Sequence, residues 1–393
     1  MKKFLTFVLF VIVPLLSMSA QQLSYKSQVS ILTVDDGEEI YSTYGHSAIR
    51  ISDPIKGYDY VYNYGVFNFN DPNFVGRFVL GNLLYRLGIV EFDRFVLSYR
   101  ISNQTVSEQI LDLSLEKRQQ VFDYLNRNLL PENVNYRYDY FHENCATKVY
   151  DLFAVTLGDS LDLNINRENY RNEGFRGMIK PHLQGGMEWA KFGIDFITGY
   201  KIDKEVIAEK TMFLPKNLES IFASAKVFNN NQWVPIVKNQ RVVYKSHFKP
   251  YDSFSWWLSP MFVCWILFVL VFIISLIGWI KGNQSWVFER VLWSINTLMG
   301  FLLVFLWFFT EHQAFGGNLN VLWLSPLSLV FLFKGSGVIG RTIKKSMSMI
   351  IILMTVFWWF APQSFNTAAF PLLLIFVVRI IKRIEGNFNH IKD

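Results

Sequence analysis

Cys145 and His46 are the residues of this sequence whose types and surroundings best support covalent chemistry. Cys145 lies in YFHENCATKVYDLF, residues 140–153, with His142, Glu143, Asn144 and Thr147 as polar neighbours. The chain has 2 cysteines. The other, Cys264, stands in a strongly apolar run and offers no obvious disulfide partner. Asn144 is a favoured N-cap type, so a helix is expected to start there and bury Val149, Leu152 and Phe153. Cys145 then occupies the first turn, where unpaired backbone N–H groups and the positive end of the helix dipole favour a thiolate.

A nucleophilic thiolate needs a base, and His46 is the leading candidate. HSAIRIS alternates, placing His46, Ala48 and Arg50 on one face of a strand and Ser47, Ile49 and Ile51 on the other. A third polar group on a neighbouring strand would orient the imidazole. Asn63 or Tyr64 can do so, depending on a register that the sequence leaves open. A buried structural thiol is the competing reading. His142 with Cys145 is too thin a ligand set for zinc, so no metal and no cofactor is expected. Arg50, on the His46 face, suits an anionic head group or an acidic side chain. His182 and His247 stand alone.

Positioning these groups takes a strand for His46 and a helix for Cys145. SQVSILTV at 27–34 reads as extended and 35–39 as a turn. The hairpin partner of the His46 strand is YDYVYNYGVF, across the DPIKG turn at 53–57. Residues 67–99, with Gly76, Gly81 and Gly88, are expected as short helices near the membrane. A strand at 105–111, a Ser114-capped helix from Leu115 to about Asn128 and extended YRYDYF at 136–141 follow. More short helices lead to QWVPIVKNQRVVYKSH, which reads as a closing strand pair. Base before nucleophile, on strand then helix, is the order of circularly permuted papain-like (NlpC/P60- and LRAT-like) domains, so the expected fold class is α+β.

Composition divides the chain. Residues 1–20 have the layout of a secretory signal peptide, with Lys2 and Lys3, an apolar stretch from Phe4 to Leu16 and small residues to Ala20. Residues 21–250 read as a soluble domain, and residues 251–393 are dominated by Leu, Ile, Val, Phe and Trp. Five apolar segments are expected as spans, roughly Trp257–Ile280, Val291–Phe309, Val321–Phe333, Met347–Ala361 and Ala368–Ile381. The first two approach the roughly 20 residues a bilayer core needs, and the shorter ones suit local thinning or re-entrance. Lys281 and Arg290 flank the first connection, and Lys334, Arg341, Lys344 and Lys345 the third. Arg379, Lys382, Arg383 and Lys392 follow the last segment, whereas TEHQAFGGNLN and APQSFNT carry no Lys or Arg. This alternation puts the soluble domain outside the cytoplasm and the C-terminus inside. The formal charge of +6 comes without a dense basic run, so no nucleic-acid partner is expected. Glu311, His312, Asn318 and Asn320 lie in the second connection, on the side of the soluble domain, where they suit head-group or substrate contact or a solvated turn.

Together, YSTYGHSAIRI, YVYNYGVFNF, YRYDYFHENCATKVYDLF, MFLPKNL and EHQAFGGNLNVLWLSP resemble the Lnb-type lipoprotein N-acyltransferases over nearly the whole chain past the signal peptide. The resemblance implies a periplasmic catalytic domain on a multi-span inner-membrane domain, in a bacterium with an outer membrane. It implies transfer of the sn-2 acyl chain of a diacylglyceryl lipoprotein to the α-amine of its N-terminal cysteine, giving the lyso form. The implied partners are diacylglyceryl lipoproteins and membrane lipid. His46 and Cys145 match the family's motif positions, and Tyr44, Arg50, His142, Asn144, Glu311, His312, Asn318 and Asn320 are expected at the substrate. The alternative with the same dyad is a membrane-tethered cysteine peptidase or amidase of the NlpC/P60 type acting on cell-wall peptides, which needs one anchor rather than five spans. A non-enzymatic receptor or scaffold is the third class.

Overall fold

The structure, a computed structural model, describes residues 22–67, 73–165, 174–183, 185–247, 255–282, 285–333 and 337–389, with side chains to residue 381. The expected signal peptide, Lys334 and Lys392 lie outside the described residues, as do the side chains of Lys382 and Arg383.

Strands β1 (Gln28–Val34), β2 (His46–Asp53) and β3 (Tyr58–Val66) form an antiparallel meander, with Val34 opposite His46 and Ile49 opposite Tyr62. The β2–β3 turn is tied by the Asp53 carboxylate, which accepts from the Ile55 N–H at 3.1 Å. Alternation along β2 and β3 separates two apolar faces. Ala48 and Val61 pack with Leu32, Phe95 and Val96 on one side, and Ile49, Ile51, Tyr62 and Tyr64 pack with Leu152 and Phe153 on the other. Fully burying side chains of this size stabilises the fold by about 1.5–3 kcal/mol each, so a one-residue slip in register would sacrifice both faces at once.

Residues 67–99 depart from the expected run of short helices. Between α1 (Phe74–Leu80) and α2 (Phe92–Ile101) lies a strand, β4 (Leu84–Glu91), paired with β3. Leu87 is its sole buried residue, so its sequence carries no alternation to read. Next come β5 (Val106–Leu111) and α3 (Leu115–Asn128), which starts where the Ser114 hydroxyl accepts from the Lys117 N–H. Strand β6 is only Asn135–Arg137; the rest of YRYDYF turns toward α4 (Cys145–Leu157). After β7 (Leu161–Asp162) come α5 (Gly174–Ile179), α6 (Glu188–Ile197) and α7 (Pro215–Ser224).

The closing segment also differs from the expected pair. β8 (Lys226–Asn229) turns through Asn230 and Asn231, both at positive φ, into β9 (Gln232–Pro235). Those two strands and β7 form a small sheet, while β10 (Val237–Tyr244) crosses to β5. The switch is at Pro235–Ile236: Pro has no N–H for a continuing ladder, and Ile236 is buried with its N–H on the Ala225 carbonyl. The main sheet runs β10-β5-β1-β2-β3-β4-β6, antiparallel throughout. The fold is thus mixed α and β with a sheet-rich N-terminal part, followed by a helical C-terminal part.

In that helical part, three helices among the described residues are long and apolar enough to cross a membrane: α8 (Pro260–Ile280), α9 (Trp286–Phe308) and α10 (Val338–Phe357), continued as a turn to Phe360. The expected span at 321–333 is instead two short 3₁₀ segments, Leu319–Leu322 and Pro326–Leu332. Pro326 prevents a continuous helix across the stretch, and Phe331 stacks on Trp293 of α9 at 3.9 Å. The last apolar segment begins as a 3₁₀ turn and becomes α11 (Phe370–Asn389). Arg379, expected beyond that segment, is inside α11 and buried, paired with Glu289 and donating to Ser275 Oγ at 2.7 Å. Arg341, Lys344 and Lys345 fall in the first turns of α10, not in a loop.

The two parts meet along a polar seam. The Gly199 N–H donates to the Ala314 carbonyl at 2.8 Å and the Tyr200 N–H to that of Gly317 at 3.2 Å. Gln363 donates to the Thr198 carbonyl at 3.2 Å, and Asn366 to Asp195 at 2.9 Å. Arg176 locks the underside, bonded to Asp195 at 3.0 Å and to Asp203 at 2.8 Å. Phe192 and Phe196 of α6 pack into the apolar cluster of the membrane helices, so the sheet is held close to the bilayer.

Candidate active site at Cys145 and His46

Helix α4 begins where expected, and its start is tightly determined. The Asn144 carboxamide oxygen accepts from the N–H groups of Ala146 and Thr147, each at 2.9 Å, while Thr147 Oγ1 accepts from the Asn144 N–H at 2.8 Å. This reciprocal capping box fixes the first turn and therefore Cys145. The apolar face of α4, with Val149, Leu152 and Phe153, packs on β2 and β3. Its N-terminus thereby reaches the strand ends that carry His46 and Gly65. Gly65 is at φ +94, and a Cβ there would stand 3.9 Å from that of Cys145.

His46 and Cys145 are near enough for each to shift the other's proton affinity. His46 Nε2 is 2.5 Å from Asn63 Oδ1. The β2–β3 register thus decides between the two orienter candidates: Asn63 is on the face of His46, and Tyr64 is on the opposite one. Tyr64 lies in the core with its hydroxyl accepting from Asn128 at 2.7 Å, so it does not reach the imidazole.

The electrostatics follow from these contacts. Burial raises the Cys145 pKa, but the charge of His46, its hydrogen bond and the N–H groups of Ser47 and Ala146 outweigh it, and the net shift is downward. Burial lowers that of His46, but the charge and hydrogen bond of Cys145 and the bond to Asn63 reverse it, and the net shift is upward. Both shifts run in the direction that favours a thiolate–imidazolium pair, the reactive form of a cysteine nucleophile.

The other residues named from the sequence play different parts. Tyr44 flanks the site, 5.1 Å from the Tyr140 ring and 5.7 Å from His182, which pairs with Asp36 at 2.6 Å. His142 is partly exposed, bonded to Asp139 at 2.8 Å and edge-on to Phe175. Asn144 is used up as the cap, since its amide nitrogen also donates to the carbonyls of Tyr140 and Phe213. Arg50 is held in the fold by Asp59 at 2.7 Å and Glu108 at 2.9 Å, with its guanidinium 3.4 Å above the Phe92 ring. Of the two environments that suited it, the acidic one is present.

The loop residues do not act alike. Glu311 pairs with Arg137 at 2.6 Å, and His312 Nε2 is 3.0 Å from the Phe78 carbonyl, where the sheet domain meets the segment leaving α9. Asn318 and Asn320 are buried, and both donate to the Phe196 carbonyl, at 2.9 and 3.0 Å. They fasten the seam rather than face solvent. Sequence reasoning missed Tyr99, which stacks on His46 at 6.3 Å, and Tyr138, whose hydroxyl lies in the field of Cys145. The one available signal was the density of tyrosines beside the Cys motif, and tyrosines are equally at home in a core.

No curated protein and no solved structure matches the chain. Two family descriptions do: the Lnb N-terminal periplasmic domain over residues 17–171 and the Lnb transmembrane domain over residues 252–385. The first contains His46, Asn63 and Cys145, and the second contains all three long apolar helices and the 311–320 loop. With a periplasmic module carrying the thiol and a membrane module beneath it, in that order along one polypeptide, the chain belongs to the Lnb family of lipoprotein maturation.

Proposed function

We propose that the protein is a lipoprotein N-acyltransferase that moves the sn-2 acyl chain of a diacylglyceryl lipoprotein to the α-amine of its N-terminal cysteine through a thioacyl intermediate on Cys145. The observation that carries this reading is Cys145 at a capped helix start beside the strand ends that carry Gly65 and His46, with His46 held by Asn63, on a domain bonded to membrane helices. The Cys145 thiolate attacks the ester carbonyl, forming a C–S bond. As the glyceryl C–O bond breaks, the leaving oxygen takes the proton held by His46. The α-amine then attacks the thioester, the C–S bond breaks as the amide forms, and His46 receives the amine proton. Asn63 keeps the imidazole oriented for both transfers.

Asn144 takes the N–H groups of Ala146 and Thr147 with its side chain and that of Lys148 with its carbonyl. The N–H of Cys145 itself, at the first helical position, is then the backbone donor for the oxyanion. Because donor ester and acceptor amine belong to one substrate, the second step is intramolecular and gains from proximity. Lys281 and Arg290 beside the α8–α9 connection and Arg341, Lys344 and Lys345 at the start of α10, against connections at 310–320 and 361–367 that carry no Lys or Arg, support an inner-membrane protein with the C-terminus in the cytoplasm.

The test is mass analysis of lipoprotein N-termini from cells carrying the wild-type protein or Cys145→Ser. Wild type should give N-acylated lyso-form lipoproteins, and Cys145→Ser should leave the diacylglyceryl form with a free amine. N-acylation that survives in Cys145→Ser cells would sink the proposal.

A further inference from the structure

We propose that Tyr138, Tyr85, Phe67, Phe74 and Phe78 form a track along which an acyl chain of the lipid substrate lies between the bilayer surface and Cys145. The proposal rests on the reading of Cys145 as acyl acceptor and adds where the chain of the donor runs.

The rings make a continuous series. Tyr138 stacks on Tyr85 at 4.2 Å, Tyr85 meets Phe67 at 5.1 Å, Phe67 stacks on Phe74 at 5.7 Å, and Phe74 on Phe78 at 6.3 Å. One end is at the thiol: Tyr138 lies in the field of Cys145, and Gly65, beside the Cys145 Cβ, is two residues from Phe67. Phe78 is exposed and the other four are half-buried, so the series borders the surface and is not part of a core cluster.

The other end is at the membrane. Helix α1 is seven residues long with no buried residue, and Val75 and Phe78 are 72% and 54% exposed. A helix this short and this apolar has little stability in water. Its C-terminal end is bonded to the segment that leaves α9: the Glu311 N–H donates to the Leu80 carbonyl at 2.8 Å, and His312 reaches that of Phe78. Phe308 and Phe309, where α9 ends, are exposed as well. The α1 face is thus continuous with the apolar surface of a membrane helix, and lipid is the occupant that suits it. Polarity also grades in the required direction. Two tyrosines lie nearest the thiol, where the ester must sit, and three phenylalanines lie beyond, where only hydrocarbon follows.

The experiment uses the full-length protein in detergent micelles with two probes, p-nitrophenyl butyrate and p-nitrophenyl palmitate. The burst of nitrophenolate reports acylation of Cys145. Phe74→Ser and Phe78→Ser should lower the ratio of palmitoyl to butyryl acylation rate about tenfold. Phe78→Leu, which keeps an apolar side chain at an exposed position, should restore most of it. An unchanged ratio in both serine variants, or an equal fall for both esters, overturns the track. A burst that persists in Cys145→Ser instead overturns the underlying reading of Cys145, and the track with it.

Discussion

At the residue scale, the decisive feature is that His46 and Cys145 shift each other's pKa against the direction of burial. The signs define the pH window. The lowered thiol favours the pair above the ordinary thiol pKa of about 8.5, and this contribution is lost as pH falls through the folded value. The raised imidazole favours it below about 6.5, and that contribution is lost as pH rises through the folded value. Iodoacetamide labelling of Cys145 should therefore rise at lower pH than that of a free thiol. Asn63→Ala removes a bond that favours the imidazolium, so it should raise the onset of labelling and slow acylation about tenfold. A labelling curve that rises only near the free-thiol value would contradict the ion pair. Nucleophile and base were legible because their chemistry is local to their types. Asn63 over Tyr64 was not, because adjacent residues on a strand face opposite ways and only the register says which faces His46.

At the element scale, segments with their own signals came out as expected: the β2–β3 hairpin, the Ser114 cap and the Asn144 cap are each written in neighbouring residues. Strand β4 was hidden because its partners, not its pattern, make it a strand, and the β9–β10 break was hidden because both halves read as extended. The seam at Gly199 has no sequence signal either. A Cβ there would collide with the Gly316 carbonyl oxygen, so only glycine allows the close approach of the two parts. Gly199→Val should destabilise the protein by about 1–3 kcal/mol through overpacking. It should expose the 185–205 region to limited proteolysis while leaving Cys145 reactive to iodoacetamide. Wild-type protease resistance in the variant would mean that the seam does not constrain the domain.

At the scale of the whole molecule, the protein is a membrane protein with an extracytoplasmic N-terminal domain held against its own membrane helices. The apolar segments were readable as a class; three of them are helices long and apolar enough to cross, and those at 321–333 and 368–381 are shorter. The residues at 321–333 have the composition of a span and fold as 3₁₀ turns against Trp293, and Arg379 has the charge of a flank and is buried against Glu289. Hydropathy reports what a segment tolerates, whereas neighbouring helices decide the shape it takes. In intact spheroplasts, a membrane-impermeant maleimide should label Cys145 and spare Cys264, which is buried in α8. Labelling of Cys145 only after the membrane is opened would reverse the orientation.

By itself the sequence determined that a free thiol and an imidazole lie on a domain attached to an apolar helical region, because capping, alternation and hydropathy act over a few residues. Tertiary structure alone decided which side chain holds the imidazole, that Asn318 and Asn320 fasten the seam, and that a series of aromatic rings runs from Tyr138 to α1. Each of those depends on residues far apart in the chain meeting across a register or a packed interface, and no local interaction energy encodes such a meeting.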